Sequence, residues 1–185
     1  MHKIVTEDLI LTTAQISDVD AFCAFEQRNK KHFAQFSPSY ELSDEQFKNL
    51  IATWVEDNRK GNSVRFFIFP KSDETRVIGC CNFTNMVRGP FQACYLGYKM
   101  DADWCGKGLM TQALQASIAY MFDELNLHRI MANYVPENHA SAKLLQRLGF
   151  TIEGTAKEYL LINATWKDHV LTSRINHAWK NKSNG

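Results

Sequence analysis

The strongest constraint on the fold is the spacing of apolar residues after Val64. They recur at every second position in Val64-Arg65-Phe66-Phe67-Ile68-Phe69, in Arg76-Val77-Ile78-Gly79-Cys80-Cys81-Asn82-Phe83, and from Phe91 to Met100. Period two sends successive side chains to opposite faces of a pleated strand. The linkers Pro70-Lys71-Ser72-Asp73 and Arg88-Gly89-Pro90 carry turn residues, so the three runs form an antiparallel meander.

Helical spacing flanks the meander. A first strand, Leu9 to Ala14, leads to a helix that Ser17-Asp18 caps and that carries Val19, Phe22, Cys23 and Phe25-Glu26; Pro38 breaks it. Ser43 and Gln46 match a capping box for a second helix, with Phe47, Leu50, Ile51, Trp54 and Val55 running on to Gly61. Downstream, Leu109 to Leu125 reads as a helix, Arg129 to Val135 as a buried strand, and Ala140 to Leu148 as a helix with Gly149 at its C′ position. Two strands, Phe150 to Ile162 and Thr165 to Trp179, turn at Asn163-Ala164. This order predicts an α/β fold, a mixed sheet with helices on its faces.

A chain of 185 residues, 45% of them hydrophobic, suffices for one core, so residues 1–185 are expected to form one domain with a frayed tail from about residue 180. The net charge of +1 supplies no general field for nucleic acid or membrane. It divides as −3 over residues 1–60 and +4 over the rest. That is the split expected if a polyanionic ligand sits on the second part and a cationic one faces the first, although surface scatter also produces it. Five cysteines (Cys23, Cys80, Cys81, Cys94, Cys105) with no C-x-x-C pair indicate neither a disulfide framework nor a zinc site. With no apolar run near membrane-spanning length and acids early in the chain, a cytoplasmic protein is expected.

Asp101-Ala102-Asp103-Trp104-Cys105-Gly106-Lys107-Gly108-Leu109-Met110-Thr111 carries a strand end through two glycines into a helix. Glycine lets backbone approach a ligand, and the helix's first turn offers unpaired N–H groups at the positive end of its dipole, which suits a phosphate. Leu109-Met110 after the second glycine excludes G-x-x-x-x-G-K-[ST], and Thr111 excludes G-x-G-x-x-G. Alone, the turn is equally an ordinary tight turn.

The loop resembles the acetyl-CoA pyrophosphate loop of the GNAT acetyltransferase superfamily, Q/R-x-x-G-x-G/A, and the element order is that family's. A second signature, Asn138-His139-Ala140-Ser141 opening a helix that closes in Arg147-Leu148-Gly149-Phe150, stands at the right separation. Asn82 to Gly89, Ala93 to Tyr98, His128 to Tyr134, Tyr159 to Ile162 and Trp166 to Thr172 are similar, more narrowly, to the branch acetylating the N-terminal alanine of a small-subunit ribosomal protein. The resemblance covers roughly residues 6 to 175. It implies a sheet of about six or seven strands, splayed between the fourth and fifth, here the runs ending at Met100 and Val135. It implies acetyl-CoA as cosubstrate and no metal, with the diphosphate on Cys105, Gly106, Lys107, Gly108, Leu109 and Met110. The pantetheine arm then lies along Gly97, Tyr98 and Met100 and meets Asn138. The implied partner is the N-terminus of a ribosomal protein, on or off the ribosome, with no sequence-specific nucleic-acid binding. Two positions depart from the family pattern: Asp103 stands where the loop has Gln or Arg, and Leu145 where many members carry the tyrosine that protonates the leaving thiolate.

An α-amino group, with a pKa of about 7.7–8.0, is mostly protonated at neutral pH and must lose a proton before it attacks a thioester. By resemblance Glu158 is the candidate base, shielded by Leu160-Leu161; the alternative is a surface glutamate paired with Lys157. Ser141, one turn beyond Asn138, is the candidate acid, though an N-cap pair alone explains both residues. Cys105 reads as a loop residue without a covalent role. Gly97 suits a bulge, and free N–H groups of its strand would steady the oxyanion. Glu26, Glu41, Asp44 and Glu45 would attract a basic acceptor, or are merely solvated, and Arg88 and Trp166 are expected at the groove mouth. Acetylation of a small amine, and a non-catalytic CoA-binding ribosome-associated protein, remain the alternatives.

Overall fold

The computed structural model describes residues 1–37 and 42–181; the expected break at Pro38, the acid Glu41 and the end of the tail lie outside the described residues. The elements run β1 (Lys3–Val5), β2 (Leu9–Thr13), α1 (Val19–Phe33), α2 (Asp44–Arg59), β3 (Val64–Pro70), β4 (Gly79–Val87) and β5 (Ala93–Met100). They continue with α3 (Leu109–Asp123), β6 (Arg129–Met131), α4 (His139–Arg147), β7 (Thr151–Ile162) and β8 (Thr165–Ile175). The strands join in one sheet of order β1-β2-β3-β4-β5-β6-β8-β7. β5 and β6 are its parallel pair, and the other neighbours are antiparallel.

Among the described residues the sheet has eight strands rather than six or seven. The extra one, β1, is a three-residue edge strand paired from Lys3↔Thr12 to Val5↔Ile10, too short for alternation to reveal. The three runs do form an antiparallel meander, but β4 begins at Gly79 rather than Arg76 and β5 at Ala93 rather than Phe91, and β3 is apolar on both faces. Val64, Phe66 and Ile68 pack on one face with α3 and α4, whereas Phe67 and Phe69 pack on the other with α1 and α2. Both faces are covered, so both sets are apolar. Phe22 of α1 stacks on Phe67 at 4.7 Å between ring centroids.

The capping box of α2 is present: Gln46 N–H donates to Ser43 Oγ at 3.3 Å and Ser43 N–H to Gln46 Oε1 at 2.8 Å. At α1 the cap differs from expectation. Ile16–Asp18 form a 3-10 turn, and the Asp18 carboxylate accepts from the Gln15 amide at 2.9 Å instead of capping the helix. The bulge expected at Gly97 is not there, since Gly97 pairs regularly with Asn82; the register shifts between Thr84 and Val87, where Asn85 takes φ 52°. Among the described residues no helix is long and apolar enough to cross a membrane.

Candidate active site

β5 and β6 pair only from Ala93↔Arg129 to Tyr95↔Met131. The strand expected to run to Val135 parts from β5 after Met131 but stays with β8, with which β6 is already paired: Ala132 N–H donates to Thr172 O at 3.0 Å, and Tyr134 bridges Val170. The sheet therefore splays, and Leu96–Met100 has β4 on one edge and, among the described residues, no strand on the other. A cleft of about 810 Å³ opens there, reaching from the 104–111 corner past Asn138 and Ser141 of α4 to Leu160, Ile162 and His169.

The corner is held from outside the cleft. Asn29 of α1 accepts from Ala102 N–H at 2.9 Å, and the Asp101 carboxylate accepts from Arg28 Nε at 2.6 Å and Asp103 N–H at 3.2 Å. Burial works against the Asp101 charge, but these donors keep the carboxyl below the usual range. The chain then passes through Gly106 (φ 75°) and Gly108 (φ 78°), the left-handed N-cap of α3. Non-glycine side chains resist that backbone geometry. Leu109 turns into the core, Met110 packs beside it, and the amides of residues 106–111 have no acceptor among the described residues. Lys107 folds back, its Nζ donating to Asp103 O at 2.7 Å and lying over the Trp104 ring. Partial burial, followed by the Asp101 charge, pushes the Cys105 thiol up, which disfavours a nucleophilic thiolate.

Across the cleft, Asn138 Oδ1 accepts from Ser141 N–H at 3.0 Å, so the pair does form the α4 cap. Tyr98 Oη also donates to Ser141 Oγ, at 2.9 Å. Burial pushes the Tyr98 phenol up to about 12, so it is a protonated donor throughout the physiological range. Leu145 is buried in the core. A phenol thus reaches this place from β5 rather than from α4. The sequence held its signal, since Tyr98 shares a strand face with Leu96 and Met100, but it was read only as a backbone contact.

The other candidates scatter. Glu158 lies in the irregular stretch of β7 between Ala156 and Leu160, at φ 47°, with its N–H donating to Asp168 Oδ1 at 2.9 Å. Its side chain is exposed and outside the cleft lining, and Lys157 pairs with Asp168 instead at 2.7 Å. Glu26 is neutralised by Lys99, at 2.9 Å from Nζ to Oε1. Arg88 donates to Leu125 O at 2.8 Å and does not line the cleft. Trp166, opposite Leu161, is exposed on the hairpin. Asp44 and Glu45 open α2 in solvent. Lining residues to which the sequence reading gave no role include Lys143 and Arg147 of α4, His32 and His169. No group of residues suited to a metal ion occurs among the described residues.

Comparison with known proteins gives a consistent result. Residues 8–151 match the acetyltransferase (GNAT) domain family. The ribosomal protein uS5-alanine N-acetyltransferase of Escherichia coli is 52% identical over 124 residues, 67% of this chain; the chain spans 63% of that relative's length. The crystal structure of ribosomal-protein-S5-alanine acetyltransferase from Vibrio fischeri superposes with TM-score 0.92 at 37% identity, covering 97% of this chain and 100% of that one. RimL, a ribosomal L7/L12 α-N-protein acetyltransferase solved with coenzyme A, gives TM-score 0.86 at 25% identity over 94% and 98%.

Proposed function

The chain belongs to the GNAT acetyltransferase family, and on that premise we propose that it transfers acetyl from acetyl-CoA to the N-terminal α-amino group of a protein, the alanine of a small-subunit ribosomal protein. The observation that carries the reading is one cleft joining two halves of the chemistry: unpartnered amides at residues 106–111 and the Tyr98–Ser141 pair. Those amides, at a helix N-terminus reached through Gly106 and Gly108, fit a diphosphate, with Cys105 and Lys107 completing the loop. The free edge of Leu96–Met100, with Gly97 lacking a side chain, is where an extended amide-bearing arm adds to the sheet as a strand would. Asn138 spends its oxygen on the helix cap and keeps its amide Nδ2 for the same arm. Acetyl-CoA supplies the activated acyl group. Ser141, accepting from Tyr98, has its own hydroxyl hydrogen to give to the departing sulfur.

The acceptor side favours a small apolar terminal residue. Phe36, Leu160 and Ile162 line it, and Asn163 Nδ2 donates to Ala34 O at 2.6 Å, tying the β7–β8 hairpin to the end of α1. The 52% and 37% identities to alanine-directed enzymes support the same choice. The described chain acts as one catalytic unit in the cytoplasm, on ribosomal protein free or on the ribosome; the single sheet and the five free thiols support this. Mass spectrometry of peptides beginning Ala, Ser and Met, incubated with acetyl-CoA, tests the reading. Acetylation of the alanine peptide first is expected; turnover of polyamines alone would overturn it.

A further inference from the structure

Proton removal from the acceptor needs a group inside the cleft, and this inference rests on the acetyltransferase reading above. His169 is 4% exposed and lines the cleft beside Leu160 and Ile162. It sits on β8 where the sheet is splayed, since its neighbour Val170 bridges Tyr134, beyond the last β5–β6 pair at Tyr95↔Met131. Its Nδ1 lies 3.1 Å from the carbonyl oxygen of Lys167. A carbonyl only accepts, so Nδ1 carries the hydrogen and the neutral ring keeps its lone pair on Nε2. Nε2 has no partner among the described residues. The ring is held by Tyr159, 5.3 Å between centroids, whose hydroxyl accepts from Asn133 Nδ2 at 3.1 Å. A buried imidazole with a fixed tautomer, braced through β7 and the end of β6, presents an unused base to the place where the acceptor enters. Glu158, exposed and outside the lining, does not.

We propose that His169 is the catalytic base of the transfer, accepting a proton of the acceptor's α-ammonium at Nε2, directly or through one water. The freed nitrogen pair forms the C–N bond, and the C–S bond breaks with its pair on sulfur. The second amine proton passes to solvent as the amide forms, the sulfur gains one from Ser141, which takes a proton back from solvent, and the imidazolium returns its proton to solvent. One proton is therefore released per turnover.

The test is steady-state kinetics of the full chain with an N-terminal alanine peptide. His169→Gln is expected to lower kcat by about 10²–10⁴-fold while the KM for acetyl-CoA stays within about twofold. In His169→Ala, imidazole added to the solution is expected to recover part of the rate, which a packing role would not give. If the unaltered chain turns over and His169→Gln keeps kcat within about threefold, this inference falls alone. Loss of acetyl-CoA binding in both variants with no rescue by imidazole also overturns it, as the mark of a structural residue. An unaltered chain that binds acetyl-CoA but acetylates no amine overturns the transferase reading and this one together.

Discussion

The two edges of β5 differ although the strand is one. Toward β4 it is paired from Met100↔Gly79 to Ala93↔Val87, and toward β6 it is paired for three residues and then free. The closed edge is a structural joint: a Cβ on Gly79 would lie 2.8 Å from Lys99 O, and the side chains beyond it, Cys80, Phe83 and Cys81, are core. On the open edge a Cβ at Gly97 would meet nothing within 4 Å. The same residue type is required for packing at one edge and, in the proposed function, for access at the other. Stability and ligand affinity are therefore expected to separate between Gly79 of β4 and Gly97 of β5.

The largest effect on acetyl-CoA binding is expected beyond the open edge, at the corner. Gly108→Val forces a β-branched residue to φ 78° and turns the amides away from the diphosphate. Acetyl-CoA affinity measured calorimetrically should fall by about 100-fold or more, roughly 2.7 kcal/mol. Unchanged affinity would remove the corner from the binding site. Gly79→Val on the closed edge should do the reverse, lowering stability by about 1–3 kcal/mol through overpacking, read as a lower Tm, with acetyl-CoA affinity of the folded protein preserved. If both variants lost affinity and stability alike, the distinction between the edges would be void.

A smaller effect belongs to the pair that closes the cleft. Tyr98→Phe removes the donor to Ser141 and should lower kcat by about tenfold, in line with one hydrogen bond of roughly 1–2 kcal/mol. Because burial raises the phenol to about 12, the donor is fully protonated below its ordinary value near 10. The ratio of wild-type to variant kcat should then be constant from pH 7 to 9. Ser141→Ala removes the proposed acid itself and should cost at least as much as Tyr98→Phe, and the double variant little more than Ser141→Ala alone, since Tyr98 acts through that hydroxyl.

Much of this was legible in the sequence because it rests on local rules. The period-two runs, the capping box of Ser43 and Gln46 and the two glycines of the corner all depend on neighbours within a few positions; the box and the strand-to-helix turn through both glycines are present, and the runs form strands that begin at Gly79 and Ala93 rather than Arg76 and Phe91. What escaped depends on distant partners. Tyr98 meets Ser141 across 43 residues, and His32, His169, Lys143 and Arg147 reach one cleft from three elements. Glu26 read as a free acid because Lys99, its partner 73 residues on, is set beside it only by α1 packing on β5. β1 escaped for the opposite reason, since three residues are too few to show a period.

Glu158 tests the smallest expected change and the limit of family resemblance. The β7 ladder is irregular between Ala156 and Leu160, and that irregularity leaves the carboxylate in solvent while Leu160 returns to the cleft. Alignment assigns a role to a position, but between Ala156 and Leu160 three residues of β7 stand opposite the single Asp168, and such a bulge re-aims the side chains within it. Glu158→Gln should consequently leave kcat within about twofold at neutral pH, well inside the loss expected for Tyr98→Phe. A loss above about tenfold, recovered at high pH, would mean that the acceptor draws this stretch of β7 inward, and that the open side of the cleft is completed only when a peptide lies in it.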